Sequence, residues 1–305
     1  MDEALVIARL IHFAAAMAGF GAAAFRFYAI DDETARQEGV ALASFDRWNL
    51  RVLRGSALVM LLSGLAIVSF VAARMVGAAS AALDLRPIAT VLSATEFGHR
   101  WCWHLLFAAL LITTAGFTAR RHALALTWAA LALASLGWVG HAADGSGWAG
   151  VGREANQSVH LLAAGLWLGG LLPLGWLLGR ARHRKNGLSM LARQAVPAFS
   201  QMGYFAVALI AMTGAVNTLT IAGSVGALLD SDYGRLLSLK ILLYLAMVAM
   251  SVRNRFRLAP PLASGRASTG GLYRAVLVEQ AVGLAILAAV SVLGTWAPPA
   301  PHHHH

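Results

Sequence analysis

The sequence contains few charged residues and a single cysteine. Charged side chains make up 12% of the 305 residues and hydrophobic side chains 58%, whereas charged residues form about 25% of an ordinary soluble domain. This apolar content excludes both a soluble globule and a disordered chain. The lone Cys102 excludes internal disulfides and a cysteine-rich metal site. Any metal site would therefore depend on His, Met, Asp, Glu or Asn side chains.

Two kinds of catalytic signature are also missing. The sequence has no glycine-rich nucleotide-binding loop, which argues against an ATP-driven pump. It also shows no arrangement of a nucleophile with a base at catalytic spacing, so we do not expect an enzyme.

The nine methionines are dispersed, and no closely spaced pair occurs on the side that we predict to be external. This distribution argues against a methionine-lined channel for Cu(I).

Eight apolar stretches are long enough to cross a bilayer as helices, which takes about 20 residues each. They comprise roughly residues 4–30, 50–75, 101–119, 124–141, 159–178, 199–221, 236–252 and 272–296. We therefore predict an all-α fold, a polytopic membrane helix bundle with about eight transmembrane helices. The glycine-rich connection between predicted helices 4 and 5, residues 141–160, is expected to be a mobile polar strap.

The positions of Lys and Arg predict the orientation, because short cytoplasmic loops collect them. Seventeen of the 24 fall on the side of the connections after predicted helices 1, 3, 5 and 7, and seven on the other side. These connections are thus expected in the cytoplasm and both termini outside. The net charge of +10 then reflects topology and contact with anionic lipid, so we predict membrane lipid and no nucleic acid as partners.

Histidines are concentrated on the predicted outer side. Residues 302–305 are interpreted as an affinity-tag remnant, and of the seven other histidines only His122 and His183 fall on the cytoplasmic side. The outer five are His12, His99, His104, His141 and His160. A single histidine is more often a packing residue, but five on one leaflet predict a metal or cofactor site, because ionisable residues in a membrane tend to face the bundle interior.

Several other polar residues lie near this predicted site. Glu96 shares a helical stripe with His99 and could join a metal site or orient an imidazole. Asn217 lies on the predicted sixth helix, which ends near the same leaflet, and it either lines the site or bonds to a neighbouring helix. Met17 follows His12 by five residues, about 140° round the helix, so it would need a neighbouring helix to share a site. Cys102 is expected to be a packed thiol.

Four tryptophans near the predicted outer end are expected to belong to the aromatic belt at the membrane surface, namely Trp101, Trp103, Trp138 and Trp148. Lys240 is expected to extend toward the outer interface and to pair with Asp230, Asp232 or Glu96.

Glu279 is an acidic residue that lies deep within the last predicted span. It either pairs with Arg26 or Arg54, as buried charges usually do, or takes part in a pathway as an inner metal or proton acceptor.

The sequence resembles the CopD family of copper-resistance membrane proteins over the whole native chain, and most specifically in its later half. The residues that carry the resemblance are HLLAAGLWLGG from His160, Thr213 and Gly214 with Asn217, Tyr233, Gly234 and Arg235 with Lys240, and Asn254 and Arg255 with Pro260. The resemblance implies a single membrane-embedded CopD-like domain, residues 1–301, in the bacterial inner membrane. The external termini would then be periplasmic.

The resemblance implies a copper-binding protein that accepts copper from a periplasmic CopC-type carrier and moves it into the cytoplasm. His160, within its motif, is the ligand that the resemblance supports, whereas the other histidines follow from the topology. Two alternatives stay open. The histidines could hold haem b in a membrane redox protein, or the protein could hold copper without transporting it.

Overall fold

The computed structural model describes residues 2–116, 118–140, 147–182, 190–222, 231–259 and 269–296, and these contain helices and no strands. The all-α prediction is confirmed. The helices are α1 (Asp2–Tyr28), α2 (Asp32–Gln37), α3 (Gly39–Val76), α4 (Leu85–Ala94), α5 (Glu96–Thr114), α6 (Ala119–Ser135), α7 (Gly147–Ala164), α8 (Leu171–Ala181), α9 (Met190–Ala222), α10 (Asp232–Arg253) and α11 (Thr269–Leu293). Short 3-10 segments cover Ala79–Leu83 and Leu136–Trp138, and π-helical turns cover Gly165–Gly169 and Asn254–Leu258.

Six segments of the described chain are long and apolar enough to cross a membrane. They are Asp2–Tyr28, Gly39–Val76, Gly147–Ala181, Met190–Thr220, Asp232–Leu258 and Thr269–Leu293. Helices α5 and α6 coincide with predicted spans 3 and 4, but α6 has only 17 residues and the first half of α5 is polar. The multi-pass architecture is thus confirmed, while the count of eight and the outer position of the termini stay predictions.

The predicted strap between the fourth and fifth spans is largely a helix. Helix α7 begins at Gly147, so the expectation of a mobile strap is wrong for residues 147–160. Tertiary contacts stabilise this helix despite its glycines: Glu154 pairs with Arg100 at 2.5 Å, and the Ser158 hydroxyl donates to the carbonyl of Ala134 at 2.9 Å. Residues 141–146 lie outside the described residues.

Helix α1 lies at the centre of the bundle and contacts α3, α6, α11 and the π-helical turn. Its second half is rich in buried alanine and glycine, and such small residues allow close approach of helices in membranes. The approach is closest at Gly21, where an added Cβ would lie 2.1 Å from the carbonyl carbon of Gly169. This packing fixes α1 against the segment that joins α7 to α8.

Helices α9 and α10 are less enclosed than α1. Helix α9 packs chiefly on α7, and α10 packs chiefly on α11. A cavity of about 480 Å³ lies between α9 and α10, lined mostly by aliphatic residues together with His160, Lys240 and Tyr244. The later half of the bundle therefore contains space beside one of the predicted ligands.

Candidate metal-binding site

Two of the predicted ligands meet inside the bundle. Helix α1 carries His12 and α5 carries His104, and their Nε2 atoms lie 2.9 Å apart. Each residue is 1% exposed. At 1.5 Å per residue, His12 lies about 15 Å along α1 from Asp2, and His104 about 12 Å along α5 from Glu96. The two helices thus bring these imidazoles together well below their first turns.

The other ring nitrogen of each histidine bonds to an oxygen. Nδ1 of His104 lies 2.9 Å from the carbonyl oxygen of Ala132, and a carbonyl only accepts, so Nδ1 carries the proton. Nδ1 of His12 lies 2.9 Å from the hydroxyl of Ser63, which also lies 2.5 Å from the carbonyl oxygen of Val59. Two states are compatible with these contacts: either Nδ1 of His12 donates to Ser63 and Nε2 is unprotonated, or Ser63 donates to Nδ1 and Nε2 of His12 donates to Nε2 of His104.

His104 thus presents the lone pair of its Nε2 atom to His12, and in the first of the two states Nε2 of His12 presents a lone pair as well. Opposed lone pairs at 2.9 Å repel unless a proton or a metal ion lies between them. An ion with bonds of about 2.0 Å to both nitrogens would subtend an angle of about 90° at this separation. The pair can therefore supply two adjacent ligands and leave the other coordination positions open.

Trp101 forms one wall of this histidine pair. Its ring centroid lies 5.3 Å from that of His12 and 5.1 Å from that of His104, and its indole N–H donates to the carbonyl of Gly64 at 3.1 Å. Trp101 is 4% exposed, so its assignment to the surface aromatic belt is wrong. Its ring excludes water from one side of the pair.

The remaining predicted ligands on α5 lie elsewhere. His99 is exposed and donates through Nε2 to the carbonyl of Ser93 at 2.8 Å. Glu96 pairs with Arg100 at 2.6 Å rather than with an imidazole. Cys102 is exposed, so the expectation of a packed thiol is wrong. His141 lies outside the described residues.

His160 occupies a separate position between α7 and α9. Its Nδ1 lies 2.9 Å from the hydroxyl of Thr213, which itself donates to the carbonyl of Leu209 at 2.5 Å. In the state in which Nδ1 of His160 donates to this hydroxyl, Nε2 keeps a lone pair that can bind an ion. No group of three or more His, Cys, Asp or Glu side chains suited to a metal ion occurs among the described residues.

Asn217 belongs to a polar contact between α7 and α9. Its side-chain oxygen accepts from Asn156 at 2.9 Å, and its amide group donates to Gln157 at 2.8 Å. Interhelical hydrogen bonding is thus its observed role, and it also lines a cavity with His12. Met17 is buried near the π-helical turn, where its carbonyl approaches Gly169.

Glu279 is buried toward the opposite end of the bundle. Its carboxylate accepts hydrogen bonds from Ser251 at 3.2 Å and from the amide group of Asn254. The expected partners are engaged elsewhere, since Arg26 pairs with Asp46 at 3.0 Å and Arg54 donates to a carbonyl. The expectation of an ion pair between Glu279 and either arginine is therefore wrong.

Lys240 also differs from its expectation. It lines the cavity beside His160, while Asp232 bonds to Arg235 at 3.3 Å and Glu96 to Arg100. The predicted pairing of Lys240 with Asp232 or Glu96 is therefore wrong, and Asp230 lies outside the described residues.

Sequence analysis did not identify Ser63 and Trp101 as parts of the site. A signal for Ser63 was present, because a hydroxyl within an apolar span must find a hydrogen-bond partner. For Trp101 the sequence held no such signal, since a tryptophan near a helix end is typical of the aromatic belt. Which residues face each other depends on how the helices are rotated, and the spacing along one helix does not determine that.

Comparison with known proteins gives a consistent result over most of the chain. Residues 1–151 match the N-terminal domain family of copper resistance protein D-like proteins, and residues 193–293 match the copper resistance protein D family. No solved structure matches the chain.

Three curated relatives carry related names. Copper resistance protein D of Pseudomonas syringae pv. tomato is 31% identical over 96% of this chain and 95% of its own length. Inner membrane protein YebZ of Escherichia coli is 34% identical over 67% of this chain and 70% of its own length. Copper transport protein CutJ of Bacillus subtilis is 28% identical over 47% of this chain and 25% of its own length.

These matches confirm the resemblance seen in the sequence and, with the six apolar spans, a multi-pass location in the inner membrane. They also indicate a role in copper handling. The chain belongs to the copper resistance protein D family.

Proposed function

We propose that this protein takes copper from the periplasm, binds it at His12 and His104, and carries it across the inner membrane to the cytoplasm. The observation that carries the proposal is the pair of buried Nε2 atoms 2.9 Å apart, with each Nδ1 atom bonded to an oxygen. Imidazole is a good ligand for copper. Fixing Nδ1 with an oxygen acceptor is the usual way in which proteins orient metal-binding histidines.

The site has two protein ligands, which suits a transported ion better than a permanent one. Structural metal sites commonly have four protein ligands, and these hold the ion tightly. With two, copper exchanges more easily with a donor outside and an acceptor inside. We expect the donor to be a CopC-type periplasmic carrier, in keeping with the family.

His160 is a second station in this proposal. Its Nε2 atom and the cavity of about 480 Å³ beside it provide a position that copper can reach after the histidine pair. On the inner side, the Glu279 carboxylate with Ser251 and Asn254 offers oxygen ligands. The two stations and the histidine pair define a route that runs from the predicted outer end to the predicted inner end.

The haem alternative gains no support from the pair. Two imidazoles that bind one haem iron from opposite sides place their nitrogens about 4 Å apart, given bonds of about 2 Å. The observed separation is 2.9 Å, and His104 is engaged by His12 rather than by His160. We therefore favour copper over haem b at this position.

The test is copper binding to tag-free protein and its variants in detergent. We expect His12→Ala and His104→Ala each to lower the affinity at least about 100-fold, because each removes half of the protein ligands. His99→Ala and His122→Ala serve as matched controls and should bind like the wild type. Equal affinity in all five proteins would overturn the assignment.

Transport is tested separately with proteoliposomes that contain the same variants. Uptake of copper by the wild type, absent in His12→Ala, would support transport through the pair. Binding without uptake would show that the protein holds copper without translocating it. A Soret absorption band in the purified protein would instead support haem.

A further inference from the structure

A second cavity, here named the vestibule, lies above the histidine pair. It has a volume of about 310 Å³ and is bordered by residues of α1, α3, α5, α7, α9, α10 and α11. These residues lie at the ends of the helices that we predict to be external. His12 and Trp101 are part of its wall, so the vestibule reaches one histidine of the pair.

The charged side chains that line the vestibule in the described part of the chain are cationic. Arg9, Arg74 and Lys240 all border it. Among the described residues the acid that pairs with one of them is Asp2, which lies 3.7 Å from Arg74. A bare copper cation that enters this space meets positive charge in a region of low dielectric constant, where repulsion is strong.

Arg9 and Lys240 lack a counter-ion in the described part of the chain. The Nε atom of Arg9 is buried and has no hydrogen-bond partner, and its guanidinium lies over the ring of Phe13 at 5.7 Å and against Gly294. A buried donor without a partner destabilises a protein unless a ligand satisfies it. An anion in the vestibule would neutralise both cations.

We propose that the vestibule binds a small carboxylate anion. Guanidinium groups match the geometry of carboxylates, and the volume suits a small organic acid. Gln157 and Asn217, which also line the vestibule, offer neutral polar groups beside the cations. The carboxylate is either a free organic acid or a ligand that accompanies copper.

The coordination of the histidine pair favours a carboxylate that accompanies copper, and this part of the inference rests on the proposed function. His12 and His104 supply two ligands, so a copper ion that arrives with carboxylate ligands keeps its coordination filled until the imidazoles replace them. Such a complex is anionic, which removes the repulsion by Arg9 and Lys240. The step is a ligand exchange: copper–oxygen bonds break, copper–nitrogen bonds form, the carboxylate leaves as an anion, and the oxidation state is unchanged.

The first arm of the test uses citrate without metal. Isothermal titration with the tag-free full chain in nanodiscs should show citrate binding that weakens at higher salt. Arg9→Gln and Lys240→Met should each weaken it about tenfold. Arg86→Gln is the matched control, because it removes a charge from an exposed residue of α4 outside the vestibule and should leave binding within about twofold.

The second arm compares free copper with copper citrate. In Arg9→Gln and Lys240→Met, copper loading from the citrate complex should fall about tenfold. In Arg9→Gln, loading from free copper should stay the same or improve, which also shows that this variant is folded. If the vestibule instead binds a free organic acid, that acid would compete with copper citrate for the vestibule. No citrate binding, or equal citrate binding in all four proteins, would overturn the inference. If the wild type does not bind free copper, the proposed function is overturned instead.

Discussion

At the scale of single residues, the same arrangement occurs at two histidines. Ser63 beside His12 and Thr213 beside His160 each donate to the carbonyl four residues earlier and lie 2.9 Å from Nδ1 of the imidazole. While the hydroxyl donates to the carbonyl it has no hydrogen left for the imidazole, which favours the ring proton on Nδ1. In that state Nε2 of each histidine is available to an ion.

Ser63→Ala tests this role without removing a ligand. Without the acceptor, His12 can carry its proton on Nε2, and we expect copper affinity to fall about 10- to 100-fold, as for other partners of metal-binding histidines. Ser93→Ala is the matched control, because Ser93 is an exposed serine with the same bond to the carbonyl four residues earlier. Competition with a copper chelator of known affinity measures the difference. An unchanged affinity in Ser63→Ala would contradict the role.

Sequence reasoning predicted the two histidines of the pair but not their pairing. The predicted topology placed His12 and His104 on the same, outer side of the membrane, and the cost of ionisable groups in lipid predicted that they face inward. The rotation of α1 relative to α5 decides which histidines meet, and it depends on packing across the whole bundle. For the same reason His99 and Glu96, on the same helix as His104, lie away from the pair.

At the scale of helices, small residues determine how closely α1 approaches its neighbours. Gly21 and Gly169 leave no room for a side chain, since a Cβ on Gly169 would lie 2.0 Å from the carbonyl oxygen of Met17. Helix α1 carries His12, so this contact also positions one half of the histidine pair. Apolar length was sufficient to predict these helices, whereas the close contact between them was not visible in the sequence.

Gly21→Ala should therefore destabilise the bundle by about 2 kcal/mol or more, because the new methyl group meets backbone atoms that cannot move easily. Gly55→Ala is the matched control on α3, where a Cβ would meet no atom within 4 Å. It should be neutral or slightly stabilising, because alanine favours a helix. The apparent melting temperature in detergent compares the two variants. Equal melting temperatures would contradict the packing described here.

The helix α7 shows where sequence reasoning failed at this scale. Glycines and polar residues in 141–160 indicated a strap, yet residues 147–160 form a helix. Its stability comes from tertiary contacts, such as the ion pair of Glu154 with Arg100, which outweigh the low helix propensity of glycine. Local composition does not report such contacts between residues distant in the sequence.

At the scale of the whole molecule, the distribution of Lys and Arg predicts which end of the bundle is periplasmic. The vestibule, the histidine pair and the predicted outer ends of the helices lie toward one end, and Glu279 lies toward the other. The direction of copper movement that we propose depends on this orientation. It is therefore the first property of the whole chain to measure.

Cysteine labelling tests the orientation directly. Cys102→Ser removes the single cysteine, and new cysteines are then placed at exposed sites, Gln37→Cys between α1 and α3 and Ser80→Cys between α3 and α4. A membrane-impermeant maleimide applied to spheroplasts should label Ser80→Cys and leave Gln37→Cys unlabelled until the cells are opened. The opposite labelling would reverse the predicted topology.

Glu279→Gln tests the inner end of the proposed route. Glutamine keeps the shape of the side chain and an acceptor for Asn254 and Ser251, so we expect folding and copper binding at the histidine pair to be unchanged. Uptake into proteoliposomes should fall at least about tenfold, because the carboxylate charge is lost. Asp84→Asn, at an exposed helix cap, is the control and should transport normally. Normal uptake by Glu279→Gln would remove this residue from the route.

The proposed transport depends on copper binding between the Nε2 atoms of His12 and His104. X-ray absorption spectroscopy of the copper-loaded, tag-free protein measures this coordination, because imidazole ligands give a characteristic scattering pattern. We expect two imidazole nitrogens at about 2.0 Å, with one lost in His12→Ala and one in His104→Ala. Sulfur ligands, or a spectrum that is the same in the wild type and both variants, would contradict it.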